Sequence, residues 1–210
     1  MINIYMIENK DTTESQIFNA AREIFEEKGL SGARMQEIAD KAGINKSLLH
    51  YYYRSKEKLF HSVFQIIFKK LMKEFIELFD SDDSVENKIR NFFNLHISIL
   101  QKNPNIPVFV LNEINQNPER VLKMMKGLEV EKIYKKLFKQ IHEGIERGEM
   151  RQVEPEQVLV SILSMSIFPF AAKEMLKGLL NMDAQQFNAF LDRRKTEAAD
   201  FVINALMIKK

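Results

Sequence analysis

The 210-residue chain has no cysteine and no tryptophan, and only seven glycines and five prolines. Without cysteine there is no disulfide and no thiolate metal site, which fits a reducing compartment. So little glycine and proline leaves few turn signals, and no alternating apolar–polar run of useful length occurs. Long helices and an all-α fold are therefore expected. A net charge of only +2 does not mark a nucleic-acid partner. Long apolar runs are missing as well. The most apolar stretch, 158–172, is interrupted by serines and Pro169; it is too short to span a bilayer and reads as a buried helix. The opening MINIYMIENK lacks a basic start and an apolar run, so no signal peptide, no membrane and a cytoplasmic location are expected. No nucleophile–base set, Gly-rich phosphate loop or metal-ligand spacing is visible, so neither an enzyme, nor a cofactor, nor a metal is expected.

What is present is helical periodicity, most informative over 35–60. Met35, Ile38, Ala39 and Ala42 recur on one helical face. Gly43 follows at once, the residue that ends helices in a left-handed conformation. Ile44 can plug the core beneath the turn, and Asn45 is a good N-cap for a second helix from Lys46. Helical phase sets Leu49 and Tyr52 inward and Lys46, Ser47, His50 and Tyr51 outward. A helix turns ~100° per residue, so Tyr51, Tyr52 and Tyr53 cannot all be core. Tyr53 is the expected core partner of Leu49, leaving Tyr51 or Tyr52 for a phosphate or a thymine methyl. A short helix with a polar, basic and aromatic outer side suits a DNA major groove. Locally, 34–58 holds six basic against three acidic residues.

The run IADKAGINKSLLHYYYRSKEKL resembles the helix-turn-helix of TetR-family transcriptional regulators. The matching positions are Ile38-Ala39, Ala42-Gly43-Ile44, Lys46-Ser47, Leu49, Tyr51-Tyr52-Tyr53, Ser55-Lys56-Glu57 and Leu59. EIFEEKGLSGARM before it, and GIERGEMRQVEPEQ at 144–157, resemble the family's approach to its second helix and exit from its seventh. Arg34 and His50 stand where the family commonly has Thr and Tyr. The resemblance implies a three-helix DNA-binding head over 1–54 and a larger effector-binding and dimerisation domain over 55–210, about nine helices in all. DNA contacts are expected from Arg34, Gln36, Asn45, Lys46, Ser47, His50, Tyr51, Tyr52 and Lys56. Lys56, disfavoured by the dipole in the first turn of its helix, is expected to clamp phosphate together with that turn's free N–H groups.

The remaining chain reads as helices. Residues 1–11 look like a loose arm. Thr13–Gln16 fits a capping box opening a helix that ends at Gly29. A helix of roughly 25 residues, ~37 Å long, runs from Ser55 to about Asp80 and links the two domains. Helices follow over about 85–103, 107–116, 118–147, 155–180 and 184–207. In the 118–147 helix, Val121, Met124, Met125, Leu128, Val130, Ile133, Leu137, Ile141 and Ile145 face inward. By resemblance the last two helices pair across a homodimer, using Val158, Leu159, Ile162, Leu163 and Ile167 with Phe187, Phe190, Leu191, Phe201 and Leu206.

Apolar pockets with a few polar groups bind small molecules, and the Phe- and Met-rich second domain suggests a small apolar or amphipathic effector. Phe64, Phe68, Phe93, His96, Met125, Met165 and Phe168 are candidate contacts. His96, on an apolar face, is either a satisfied core histidine or a polar group lining that pocket. His61 and His142 are expected at the surface. The resulting reading is a dimeric, ligand-responsive repressor on a palindromic operator. The alternative is a helical sensor or interaction module without specific operator binding.

Overall fold

The computed structural model describes residues 12–128 and 130–208. Eleven helices occur in them: α1 Thr13–Gly32, α2 Met35–Lys41, α3 Lys46–Tyr52, α4 Lys56–Phe79, α5 Val85–Lys102, α6 Ile106–Gln116, α7 Pro118–Gly127, α8 Glu131–Glu146, α9 Pro155–Ala171, α10 Lys173–Leu179 and α11 Ala184–Leu206. No strand is found among the described residues beyond one isolated bridge, Met150 to Met207. The count exceeds nine for two reasons. The expected 118–147 helix is two helices, α7 ending at Gly127 and α8 starting at Glu131, and the expected 155–180 helix bends by 78° between α9 and α10. Pro169 lies in α9 just before the bend, and Ala172 leaves helical geometry at φ −111°, ψ 26°. The N-terminal arm and the Ile133 side chain lie outside the described residues.

The described chain divides into two compact units. Unit 1 comprises residues up to 71 together with 108–124; unit 2 comprises 72–107 and 125 onward. Helix α4 contributes to both.

Unit 1 is organised by α1. Its start is capped by Thr12, whose hydroxyl accepts from the Ser15 N–H at 3.3 Å, while Ser15 Oγ donates back to the Thr12 carbonyl at 2.9 Å. The cap thus sits one residue before the Thr13 box that spacing suggested. Gly29 does break the helix: at φ 65°, ψ −176° it kinks the backbone before a last turn to Gly32. Ile17, Phe18, Ala21, Ile24 and Phe25 are buried, as are Ile38, Ala39, Leu49, Leu59 and Phe60. Phe25 meets Phe60 edge-on at 5.0 Å, and Phe60 and Phe64 reach Phe109 of α6 at 5.3 and 5.6 Å. Each buried ring contributes about 1.5–3 kcal/mol. This aromatic column draws α6 and the first half of α4 into one unit with α1–α3.

Unit 2 packs α5 against α9 and α11, with α8 alongside. Ser84 caps α5 through the Asn87 N–H at 3.2 Å. Arg90 to Asp200 at 2.5 Å and Gln101 to Asp192 at 3.0 Å tie α5 to α11. Asp183 and Gln186 form a reciprocal capping box that opens α11. Lys88 is fully buried, donating at 2.7 Å to both the Phe79 carbonyl and Gln140 Oε1. Burial, then repulsion from Lys136, lowers its pKa.

The 158–172 stretch is not wholly buried as expected. Val160 and Phe168 of α9 stand exposed, as does Phe201 of α11. Conversely, Ile162, Phe187, Leu191 and Leu206 are buried within the chain and are not available to a partner. Helical phase marks apolar faces but not which neighbour covers each.

Candidate nucleic-acid interface

Local rules build the turn between α2 and α3. The Ile44 N–H bonds the Ala39 carbonyl at 3.0 Å and the Gly43 N–H bonds that of Asp40 at 3.1 Å. This interlocked pair requires left-handed backbone at the residue after the C-cap, and Gly43 has φ +69°. Asn45 then caps α3, its Oδ1 accepting from the Leu48 N–H at 2.8 Å. Leu49 anchors the helix in the core beside Ile38 and Ala39.

With that side fixed, the opposite side of α3 is presented to solvent. Lys46, Ser47 and His50 are exposed, and Tyr51 is 82% exposed. Tyr52, assigned inward by phase, is 37% exposed and meets Tyr51 edge-on at 5.7 Å. Both tyrosines therefore reach the outer surface, and Tyr53 is the half-buried one. Burial raises its hydroxyl pKa, with Glu14 adding to the shift. Arg34 precedes α2 as an exposed N-cap without a side-chain cap bond. Gln36 donates to Asp40 at 2.7 Å on the exposed side of α2. Ion pairs from Lys28 to Glu37 and from Lys41 to Glu23 brace α2 on α1.

Lys56 is placed differently from expectation. Its ammonium donates to the Ala33 carbonyl at 3.0 Å and the Ser31 carbonyl at 3.4 Å. It thus holds the end of α1 to the start of α4, and an ammonium has three N–H donors, one more than these two bonds use. Ser55 caps α4 through the Lys58 N–H at 3.2 Å.

Phe64 and Phe68 belong to unit 1, stacked at 5.6 Å. Phe93, His96, Met125, Met165 and Phe168 belong to unit 2. None of the seven lines the cavity of about 510 Å³ in unit 1 or those of about 340 and 200 Å³ in unit 2. Phe168 is 52% exposed on α9.

His96 is a core histidine. It is buried, Nδ1 lies 3.0 Å from Ser166 Oγ, and its ring packs on Phe75 and Phe92 at 5.0 and 5.1 Å. Ser166 Oγ also donates to the Leu163 carbonyl at 2.9 Å. Burial without a counter-charge pushes the imidazole pKa from 6.5 down to about 3, so it is neutral.

His61 is not the surface residue that composition suggested. Half-buried on α4, it hydrogen-bonds Arg120 of α7, which pairs in turn with Glu113 of α6; Asn117 bonds the other Glu113 oxygen at 3.3 Å. Glu113 is only 2% exposed. Burial, then Arg120, lowers the His61 pKa. The members of this cluster come from three helices and share no motif spacing, so no sequence pattern flags them. Among the described residues no group of three His, Asp or Glu side chains could hold a metal, and no single helix is long and apolar enough to cross a membrane.

Comparison with known proteins fits this geometry. Residues 17–63 match the model of bacterial regulatory proteins of the tetR family. Residues 86–202 match the tetracyclin repressor-like C-terminal domain. A fatty acid metabolism regulator protein of Bacillus subtilis is 27% identical over 146 residues, which is 65% of this chain and 70% of that protein. An HTH-type transcriptional repressor of Streptomyces coelicolor is 35% identical over 86 residues, 41% of this chain and 43% of that one. The crystal structure of the regulator FadR from Bacillus subtilis in complex with stearoyl-CoA superposes with a TM-score of 0.64 at 17% identity, covering 91% of this chain and 98% of that one.

Proposed function

The chain belongs to the tetR family of bacterial regulatory proteins, DNA-binding transcription regulators, and from that premise we propose that it is a cytoplasmic, ligand-responsive repressor. The outer side of α3 carries the reading: Lys46, Ser47, His50, Tyr51 and Tyr52 form a basic, polar and aromatic strip, rigidly backed by Leu49. Exposed Lys46 supports a proposed contact to a guanine edge. Arg34, Gln36 and Asn45 flank the strip, and Lys56 adds a phosphate contact through its remaining donor.

One seven-residue helix is a small interface for an operator, so two heads reading a palindrome are proposed. Exposed Val160, Phe168 and Phe201 of unit 2 offer the homodimer face, with half-buried Val158, Leu159, Leu163, Ile167 and Phe190 beside them. The effector is proposed to be small and apolar or amphipathic. Because the superposed FadR holds stearoyl-CoA, long-chain acyl-CoA is the first probe.

The test is fluorescence anisotropy with DNA from upstream of the chain's own gene, against scrambled DNA of equal length. Specific binding weakened by acyl-CoA is expected. By linkage the operator must weaken the acyl-CoA by the same factor. Equal affinity for the two DNAs would refute operator recognition.

A further inference from the structure

One polar cluster of unit 1 belongs neither to the DNA-facing strip nor to the effector candidates. It joins His61 of α4, Glu113 of α6 and Arg120 of α7, all within that unit. Arg120 donates through Nη2 to Glu113 Oε1 and through Nη1 to His61 Nε2. Asn117 Nδ2 donates to the second Glu113 oxygen at 3.3 Å. A guanidinium only donates, so His61 Nε2 is the acceptor and the neutral ring carries its proton on Nδ1.

This arrangement exists in one protonation state. With neutral His61, one cation, Arg120, faces one buried carboxylate, Glu113. A second proton on the ring would set an N–H at Nε2 against the Arg120 N–H, and a second positive charge beside the guanidinium. Glu57, one turn earlier on α4, is the other charged group acting on His61; it is exposed and offsets this only in part. Burial and Arg120 accordingly hold the ring's pKa below 6.5.

The closed arrangement also carries a standing cost. His61 Nδ1 and Arg120 Nε are buried and find no hydrogen-bond partner among the described residues. A buried donor left unpaired is costly, and opening to water relieves that cost. The Arg120 side chain is 30% exposed and has a way out to solvent, whereas Glu113 has none.

We propose that His61, Arg120 and Glu113 form a proton-operated latch joining α4 to α6 and α7. Neutral His61 accepts from Arg120 and closes the latch. A proton from water adds to the Nε2 lone pair, the hydrogen bond from Arg120 is lost, and α7 is freed from α4. The same half of α4 carries Lys56, bonded to the end of α1, and Phe60, packed on Phe25. The latch therefore acts on the helix that backs α1. This inference does not rest on the operator reading, because its test uses no DNA.

The experiment is NMR on the full chain. Long-range 1H–15N spectra of the unaltered protein at pH 7 should show His61 as the Nδ1–H tautomer. Hydrogen exchange then compares it with His61→Gln, whose amide oxygen can accept from Arg120 but does not titrate. Between pH 7 and pH 5, exchange of the 121–126 amides, corrected for the intrinsic rate, should speed up about tenfold more in the parent than in the variant, the factor for one unit of pKa difference. The α5 amides should respond alike in the two proteins. An Nε2–H tautomer at pH 7, an equal response of 121–126 in parent and variant, or the same excess in α5 as in 121–126 would each overturn the proposal.

Discussion

Acidification should destabilise this protein through His96. In the folded chain its pKa is about 3, against 6.5 for an ordinary imidazole. Between those values the unfolded chain binds the extra proton and the folded chain does not, so stability rises with pH across the window and is lost as pH falls through it. At pH 7 the cost is about 0.2 kcal/mol; at pH 5 it is about 2 kcal/mol, since each unit of pH below 6.5 adds about 1.4 kcal/mol. That is a large share of the 5–15 kcal/mol typical of domains. Ser166 Oγ, its own proton given to the Leu163 carbonyl, can accept from Nδ1–H, but it is neutral and brings no counter-charge to a ring packed on Phe75 and Phe92.

The assay is urea denaturation at pH 5, 6 and 7 at constant ionic strength, comparing the parent chain with His96→Asn. The amide can take the place of Nδ1 toward Ser166 but does not titrate. The variant will be less stable at every pH because it loses ring packing. Its stability should nevertheless fall about 2 kcal/mol less between pH 7 and pH 5 than the parent's does. Parallel pH dependences in the two proteins would refute the reasoning: His96 would then be hydrated or charge-paired in the fold.

Further outcomes follow from the other sites. Lys46→Ala should relax base preference at one position per half-site by about 1–3 kcal/mol, whereas Lys56→Ala should weaken all DNA sequences alike and lower the slope of log affinity against log salt by about 1; identical sequence profiles and salt slopes in anisotropy titrations would show the roles misassigned. Phe201→Glu, at a position 65% exposed in the single chain, should shift the mass in light scattering from dimer to monomer without changing helicity; an unchanged dimer mass would place the interface elsewhere. Lys88→Ala should cost about 2–4 kcal/mol in urea denaturation, because it leaves the Phe79 carbonyl unpaired and opens a cavity; a loss below 0.5 kcal/mol would contradict its burial. Gly43→Ala should cost about 1–2 kcal/mol through left-handed strain alone, since no atom lies within 4 Å of the added methyl.

Sequence alone determined the features whose cause lies within a few residues. Gly43 and Asn45 dictate the turn before α3 because backbone hand and side-chain capping act over three or four positions. Gly29 and Asn117-Pro118 mark helix breaks for the same reason. Period also separates Leu49, which is buried, from Lys46, Ser47, His50 and Tyr51, which are exposed, and so marks the outer strip of α3. Tertiary structure alone decided what depends on partners far along the chain. Ser166 reaches His96 across 70 positions and Gln140 reaches Lys88 across 52. Lys56 finds the carbonyls of Ser31 and Ala33, and Glu113, Arg120 and His61 meet from three helices. Phe187 and Phe201 look alike on the periodic face of α11, yet one is buried and the other open. A helical period reports which side chains point the same way; only packing decides which of those directions ends in protein and which in water.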